Sequence, residues 1–209
     1  MTLREKVDLV LGDVAAGIPV VILDAEWREG EGDWFVAAEK ITQEQIAFCM
    51  REVRGIFCVS AAKSVFDRVG ICKANSNGRD PLATPFTDSF DASAGVTTGV
   101  SAHDKLETIK VLLDDGSVPS DLATPGHLQG LMVRSGLLQE REGHSEQSVQ
   151  LAVMAGLKPV GVICEMVHPD GWMRKGQDIL DWAASFGFKT VTTDDLKQYC
   201  LEKSWFPTC

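Results

Sequence analysis

The sequence lacks several features that would assign it to a membrane or to nucleic acid. Its longest apolar stretches, residues 17–23 and 159–164, are far short of the roughly 20 residues that cross a bilayer. Its amino terminus has no long apolar segment, so we expect no signal peptide. Lys and Arg never occur in runs longer than two, and the net charge is −10. Because an acidic surface repels phosphates and anionic lipids, we expect no nucleic-acid or membrane partner.

The cysteines also argue against a zinc-binding protein and against a secreted protein held by disulfides. The six cysteines form no Cys-x-x-Cys pair and no Cys/His spacing typical of zinc sites. We therefore expect free or buried thiols and a cytoplasmic protein. No repeat and no Pro- or Ser-rich linker divides the 209 residues, so we expect one domain over 1–209. A chain of this length can bury a core without disulfides or a structural metal.

Helix and strand patterns alternate along the chain. Capping boxes at Thr2 and Thr42 each predict the start of a helix, and the second helix is expected to end at Gly55. Strands are predicted over 19–23, 34–38, 56–59, 159–166 and 189–192, and further helices over 61–69, 103–113, 145–154, 177–186 and from Thr193. Segments 73–85 and 116–130 are predicted as mostly loop. This alternation predicts a layered α/β or α+β domain around one sheet.

Segment 24–33 places five carboxylates and one arginine directly after a buried strand. A solvated acidic loop would explain this composition. However, apolar strands flank the segment, and Gly30 and Gly32 allow turns that bring its carboxylates together. Converging carboxylates repel one another unless a cation lies among them, and oxygen ligands suit Mg²⁺ or Mn²⁺. Arg28 could make a bidentate contact with a carboxylate or phosphate.

A second candidate site is Arg141-Glu142-Gly143-His144-Ser145, directly before a predicted helix. Gly143 lets the backbone approach a ligand, and Ser145 is a natural N-cap. The free N–H groups of the first helical turn suit an anion, and Arg141 would add a charged contact to phosphate. The alternative is an ordinary helix start with a surface histidine.

Two single residues and one small-residue run complete the candidates. His127 follows Pro125-Gly126 on a rigid turn. Glu165 lies at the end of an apolar strand, where a carboxylate is costly unless it faces a site or has a structural partner. Run 94–102 matches neither a P-loop nor a dinucleotide motif, and core packing alone would explain it.

Taken in order, these segments resemble the 3,4-dihydroxy-2-butanone 4-phosphate synthase family of riboflavin biosynthesis. The family's acidic signature D-D-E-x-R-E-N-E-G-D is matched within 24–33 at Asp24, Glu26, Arg28, Glu29, Glu31, Gly32 and Asp33. Its other motifs are matched at 95–102 (G-V-T-T-G-V-S-A), 125–127 (P-G-H), 141–146 (R-E-G-H-S-E) and 164–165 (C-E). The resemblance covers nearly the whole chain, and we expect the monofunctional form.

The resemblance implies a lyase with an α+β fold, a single-domain layered sandwich whose mixed β-sheet is flanked by helices. It would convert D-ribulose 5-phosphate, a small sugar phosphate, to L-3,4-dihydroxy-2-butanone 4-phosphate and formate with Mg²⁺ or Mn²⁺. Glu29 and His144 match the metal ligands, and His127 and Glu165 match the residues that transfer protons. The implied substrate contacts are Arg28, Asp33, Arg141, Glu142, Gly143, His144, Ser145 and Glu165. The family forms a homodimer with its active sites at the subunit interface.

The residue types fit this chemistry independently. Removal of a proton next to a ketone gives an ene-diolate, whose charge a divalent cation can stabilise. A histidine and an enclosed glutamate can exchange protons near neutral pH.

The sequence also departs from the family. Ala25 replaces the second aspartate, Trp27 a small or acidic residue, and Gly30 an asparagine. Lys105 lies where arginine is common, and 87–89 reads T-D-S instead of T-V-S. Catalysis is expected, because the implied metal ligands and acid–base residues are all present. Two alternatives are a diverged paralogue acting on another ketose phosphate in secondary metabolism and a non-catalytic sugar-phosphate-binding homologue.

Overall fold

A computed structural model of the chain describes residues 1–24, 30–74 and 84–205. Its strands are β1 Val20–Leu23, β2 Gly32–Ala37, β3 Arg54–Ala61, β4 Phe90–Ala92, β5 Leu122–Met132, β6 Val160–Met166 and β7 Lys189–Thr192. In the described part of the chain they form one seven-stranded sheet in the order β4-β5-β3-β6-β2-β1-β7. β3 pairs with β5, and β1 with β7, in parallel, whereas the other neighbours are antiparallel. The predicted mixed sheet is therefore confirmed.

Helices cover both faces of this sheet. They are α1 Leu3–Ala16, α2 Gln43–Phe48, α3 Lys63–Arg68, α4 Ala102–Leu113, α5 His144–Met154, α6 Gln177–Ser185 and α7 Thr193–Lys203. One apolar core lies under α1, α5 and α7, and another lies under α2, α3, α4 and α6. The predicted α+β layered sandwich is confirmed. Among the described helices, none is long and apolar enough to cross a membrane.

Side-chain alternation along the central strands separates the two cores. Phe35 of β2 packs into the core under α5, whereas its neighbours Trp34 and Val36 pack into the opposite core. Each strand residue therefore faces one helical layer, as the two-residue period of a strand requires. Helix α5 crosses the middle of its layer and is buried from Ser145 to Ala152. Polar side chains in its first two turns are consequently held inside the protein.

Both capping boxes are present, at Thr2 for α1 and at Thr42 for α2. The predicted helix end at Gly55 is wrong. A π-helical turn, Cys49–Val53, extends α2, and Arg54 ends it in the left-handed conformation. Gly55 already belongs to β3, where it lies against the backbone of Glu165.

The loop prediction for 116–130 is also wrong, because β5 occupies most of this segment. Pro125 lacks an N–H group and suggested a loop. It lies where the pairing of β5 with β4 is irregular, between the Asp91↔Ala123 and Phe90↔Leu128 pairs. A proline is tolerated at such a break in the hydrogen-bond ladder. Strand β4 was not predicted, because three residues carry little periodic signal.

Candidate active site

One cleft lies where the ends of β2 and β6 meet the first turn of α5. It gathers five of the predicted site residues with several apolar side chains. Its lining consists of Glu31, Asp33, Ile56, Cys58, Thr84, Phe86, Leu131, Arg141, His144, Ser145, Ile163 and Glu165. Segments distant in the sequence therefore meet at one place.

The sheet register places two carboxylates side by side in this cleft. Asp33 of β2 and Glu165 of β6 are direct partners in the antiparallel pair. Cross-strand partners point to the same face of a sheet, with Cβ atoms about 5 Å apart. Asp33 is buried and Glu165 is half-buried. The position of Glu165 on the cleft wall favours a role in the site over a purely structural one.

His144, the first residue of α5, lies between two acidic side chains. Its Nδ1 is 3.3 Å from Oδ1 of Asp33, and its Nε2 is 3.4 Å from Oδ1 of Asp24. The Asp24 N–H donates a hydrogen bond to the Glu31 carbonyl, so the two ends of segment 24–33 approach each other. Asp24 was part of the acidic signature, but no role in the site was predicted for it.

The side chains around His144 offer ligand atoms for a hard divalent cation. Asp24 and Asp33 place two buried carboxylates beside one imidazole, so a cation bound close to them would lower the electrostatic cost of their burial. Asp33 Oδ1 is buried and accepts no hydrogen bond from any described residue. Carboxylate oxygens are the usual protein ligands of Mg²⁺ and Mn²⁺, and His144 would add one imidazole to them.

The described residues alone do not complete a metal site. Within 1–24, 30–74 and 84–205, no group of three or more His, Cys, Asp or Glu side chains is arranged to hold a metal ion. The implied ligand Glu29 and the implied substrate contact Arg28 lie outside the described residues, as do Ala25 and Trp27. The meeting of Glu29 and His144 at one ion therefore stays a prediction.

The other end of the cleft is cationic. Arg141 Nη1 donates hydrogen bonds to Glu146 Oε2 at 2.6 Å and to Ser145 Oγ at 3.0 Å. A Cβ atom on Gly143 would lie 2.0 Å from Arg141 Nη1, so the absence of a side chain there lets the guanidinium lie against the helix start. An arginine beside a helix N-terminus is a favourable site for phosphate.

The predicted N-cap of this helix needs correction. Gly143, with φ −101° and ψ 159°, is the N-cap of α5, and Ser145 lies inside its first turn. The Ser145 hydroxyl donates to Glu146 Oε2 at 2.9 Å, which turns it towards Arg141. Glu142 does not line the cleft, and its carboxylate binds Lys197 of α7.

His127 lies in a neighbouring cleft that shares Ile56 with the first one. Its Nδ1 is 2.7 Å from Asp91 Oδ2, and its backbone N–H donates to Asp91 Oδ1 at 3.0 Å. The His127 side chain is 53% exposed. Lys105 Nζ donates to the His127 carbonyl at 3.3 Å, and burial lowers the pKa of Lys105. Within one chain, His127 therefore does not share a cleft with His144 and Glu165.

The small-residue run 94–102 does more than fill space. Thr97 and Thr98 are exposed, so core packing does not explain the run. The buried carboxylate of Asp104 accepts hydrogen bonds from Thr97 N at 2.9 Å, Thr97 Oγ1 at 2.8 Å and Gly99 N at 3.1 Å. These bonds, the Thr97 N–H foremost, hold the pKa of Asp104 well below its usual range. A Cβ atom on Gly99 would lie 2.2 Å from Asp91 Oδ2, so this turn forms a wall behind Asp91.

Comparisons with known proteins give one family. A family model described as 3,4-dihydroxy-2-butanone 4-phosphate synthase matches residues 8–199. A relative of that name from Pelobacter propionicus is 40% identical over 195 residues, which cover 93% of this chain and 83% of the relative.

Solved structures give the same result. A two-domain 3,4-dihydroxy-2-butanone 4-phosphate synthase from A. baumannii superposes with a TM-score of 0.88 and 33% identity. The match covers 93% of this chain but 57% of that protein's length. A second synthase structure, described as a complex with two magnesium ions, gives a TM-score of 0.90 and 30% identity over 95% of this chain and 97% of that one.

Proposed function

Because the chain belongs to the 3,4-dihydroxy-2-butanone 4-phosphate synthase family, we propose that the cleft between β2, β6 and α5 is its active site. The family prediction made from the motifs is confirmed. The protein is a lyase that converts D-ribulose 5-phosphate to L-3,4-dihydroxy-2-butanone 4-phosphate and formate in riboflavin biosynthesis. The observation that carries the site assignment is the meeting of Asp33, Arg141, His144 and Glu165 in one cleft.

The substrate phosphate is assigned to the cationic end of the cleft. Arg141 supplies charge and hydrogen-bond donors, and the first N–H groups of α5 add a partial positive charge. Ser145 adds a hydroxyl beside them. Anchoring the phosphate here would leave the sugar to extend along the cleft towards Asp33 and Glu165.

Of the two expected acid–base residues, Glu165 is the one that we assign to proton transfer in this cleft. Its carboxylate is half-buried on the cleft wall beside Asp33, where it can remove a proton next to the substrate ketone.

Divalent-metal dependence follows from the family. His144 and Glu29 would hold the ion, with Asp24 and Asp33 close to His144. A divalent cation, when bound, offsets negative charge that develops on the sugar oxygens. We assign Mg²⁺ ahead of Mn²⁺, because one related structure is described with two magnesium ions.

The second acid–base residue, His127, is assigned to a site shared between subunits. Asp91 fixes the His127 ring through Nδ1 and so leaves Nε2 to act on substrate. Three apolar side chains that line the two clefts are exposed: Met50, Ile56 and Phe86. Exposed apolar residues around a polar site are typical of a protein interface. In a homodimer, this surface would be covered and His127 would act in the cleft of the other subunit.

The domain organisation and the cellular location complete the proposal. We propose one domain for residues 1–209, because the described strands from β1 to β7 share one sheet. We propose a cytoplasmic location, because five cysteines that the structure describes are free thiols, which suits a reducing compartment.

The decisive experiment incubates the purified protein with D-ribulose 5-phosphate and Mg²⁺. Formate and the four-carbon phosphate are measured by ¹H and ³¹P NMR. We expect both products in equal amounts and none after chelation of the metal. If neither product forms at any concentration of Mg²⁺ or Mn²⁺, the proposed function is wrong. Turnover of a different ketose phosphate would then favour a diverged paralogue, and binding without turnover a non-catalytic homologue.

A further inference from the structure

Glu146 is a buried carboxylate to which the proposed reaction gives no role. It is the third residue of α5 and is 0% exposed. One of its oxygens, Oε2, accepts hydrogen bonds from Arg141 Nη1 at 2.6 Å and from Ser145 Oγ at 2.9 Å. The other, Oε1, accepts from the Arg134 N–H at 3.3 Å. A full negative charge is thus buried beside two residues assigned to the substrate phosphate.

The position of this charge presents an electrostatic conflict. A carboxylate next to Arg141 weakens the attraction of the cleft for a phosphate dianion. It also cancels part of the favourable field at the start of α5. A protein that needed only positive charge here would gain by omitting Glu146. The conflict is resolved if the carboxylate contributes something other than charge.

The contacts indicate that this contribution is orientation. Arginine has a long side chain whose ordering costs about 2 kcal/mol of conformational entropy. The short bond to Glu146 and the close approach to Gly143 hold the Arg141 guanidinium along the helix start before a ligand arrives. Arg141 is 16% exposed, so water screens this ion pair only weakly. A side chain ordered in advance binds its ligand without losing that entropy on binding.

We propose that Glu146 is a positioning residue, which orients Arg141 and Ser145 for the phosphate of the substrate. This inference rests on the proposed function, because it assigns phosphate to Arg141. The same bonds would also stabilise the start of α5. The experiment must therefore separate phosphate recognition from stability.

Three substitutions at this position separate charge from geometry. Glu146→Gln removes the charge but keeps an oxygen that can accept from Arg141 and Ser145. Glu146→Ala removes both charge and acceptor, and Glu146→Asp keeps the charge but draws it back by one methylene group. Glu140→Ala serves as the matched control, because Glu140 is exposed, lies in the preceding segment and accepts a hydrogen bond from the backbone N–H of Gly136.

The measurements are KM and kcat for D-ribulose 5-phosphate, and the inhibition constant of inorganic phosphate. We expect Glu146→Ala and Glu146→Asp to raise KM and the phosphate inhibition constant about tenfold, with kcat changed less than about threefold. Glu146→Gln should stay within about threefold of the unmodified protein, as should Glu140→Ala. The Mg²⁺ concentration for half-maximal rate should not change in any of them.

A double-mutant cycle with Arg141→Ala then tests the route of the effect. If Glu146 acts through Arg141, adding Glu146→Ala to Arg141→Ala no longer raises KM or the phosphate inhibition constant; both stay the same or fall, because the carboxylate without its arginine only repels phosphate. If the two effects multiply, or if Glu146→Ala lowers only the melting temperature, the inference is overturned. If Glu146→Ala does not fold, Glu146→Asp in the same cycle decides between these outcomes.

Failure of the proposed function would be visible separately. If the unmodified protein makes no formate, calorimetric titration with inorganic phosphate replaces kinetics. Weaker phosphate binding by Glu146→Ala, absent in the Arg141→Ala background, would still support the positioning role. Equal phosphate binding by the unmodified protein and Glu146→Ala would overturn it.

Discussion

Substituting Gly143 by alanine tests the geometry at the start of α5 with a single methyl group. The new Cβ would lie 2.0 Å from Arg141 Nη1 and 2.9 Å from Glu146 Oε2. Carbon–nitrogen contacts below 3.0 Å do not persist, so the guanidinium must retreat by about 1 Å. A retreat directly away from the new Cβ stretches the 2.6 Å bond to Glu146 to about 3.0 Å and turns the guanidinium away from its present position. The backbone of Gly143 itself is extended and is not strained by a side chain.

Two magnitudes follow from this displacement. A hydrogen bond between charged groups contributes about 1.5–3 kcal/mol, and its stretching removes part of this, to which the 2.9 Å contact of the new Cβ with Glu146 Oε2 adds. A displacement of about 1 Å in a group that positions substrate can reduce the rate about 100-fold. We therefore expect kcat/KM to fall about 10- to 100-fold, mainly through KM, with a stability loss of about 1–2 kcal/mol.

The assay pairs steady-state kinetics with urea unfolding. Gly12→Ala is the control, because Gly12 lies within α1 and nothing lies within 4 Å of the added carbon. That substitution should leave KM unchanged and stabilise the helix by up to about 1 kcal/mol. An unchanged KM in Gly143→Ala would refute the close contact between Arg141 and the helix start and, with it, the phosphate assignment.

Further substitutions test the other parts of the site. Glu165→Gln should bind D-ribulose 5-phosphate in calorimetry with near-normal affinity but form no formate; normal turnover would remove Glu165 from proton transfer. His144→Ala should weaken Mg²⁺ binding at least about tenfold by calorimetry, and unchanged affinity would contradict its role as a ligand. Asp91→Asn should lower kcat about 10- to 100-fold, with KM nearly unchanged, because the amide no longer fixes His127 as an anion does. Asp104→Asn should cost most stability above about pH 4, and the cost should shrink gradually as the pH falls towards the lowered pKa of the folded carboxyl, because the folded protein stays ionised there while the unfolded chain takes up a proton. Urea unfolding at several pH values measures this, and a loss that stays constant between about pH 5 and pH 3 would contradict it.

Much of the fold was predictable because its signals are local. The capping boxes at Thr2 and Thr42 and the apolar strands 19–23 and 159–166 each depend on a few adjacent residues. Strand β5 was missed for the opposite reason. Its Pro125 predicts a loop locally, and only pairing with β3 and β4, which are distant in sequence, makes the segment a strand.

The candidate site was also predictable only in part, where its signals are local. Polar residues at the end of an apolar strand and before a helix indicated Glu165 and His144 as candidates, and both line one cleft with Asp33. Asp91 carried no such signal, because its contact with His127 depends on the pairing of β4 with β5. The direction of a side chain was equally beyond the sequence. Glu142 lies beside Gly143 in the chain, yet it points to α7 and not into the cleft.

The first turn of α5 separates a side that suits a cation from a side that suits an anion. His144 contacts the buried carboxylates of Asp24 and Asp33, so its side of the helix start attracts a cation. Ser145 and Glu146 contact Arg141, so the other side is prepared for an anion. Because a helix places consecutive residues about 100° apart, neighbours in one turn can face different ligands. Under the proposed function, a sugar phosphate with its phosphate at Arg141 would extend its oxygens towards the metal side and its ketone towards Glu165, which lines the same cleft.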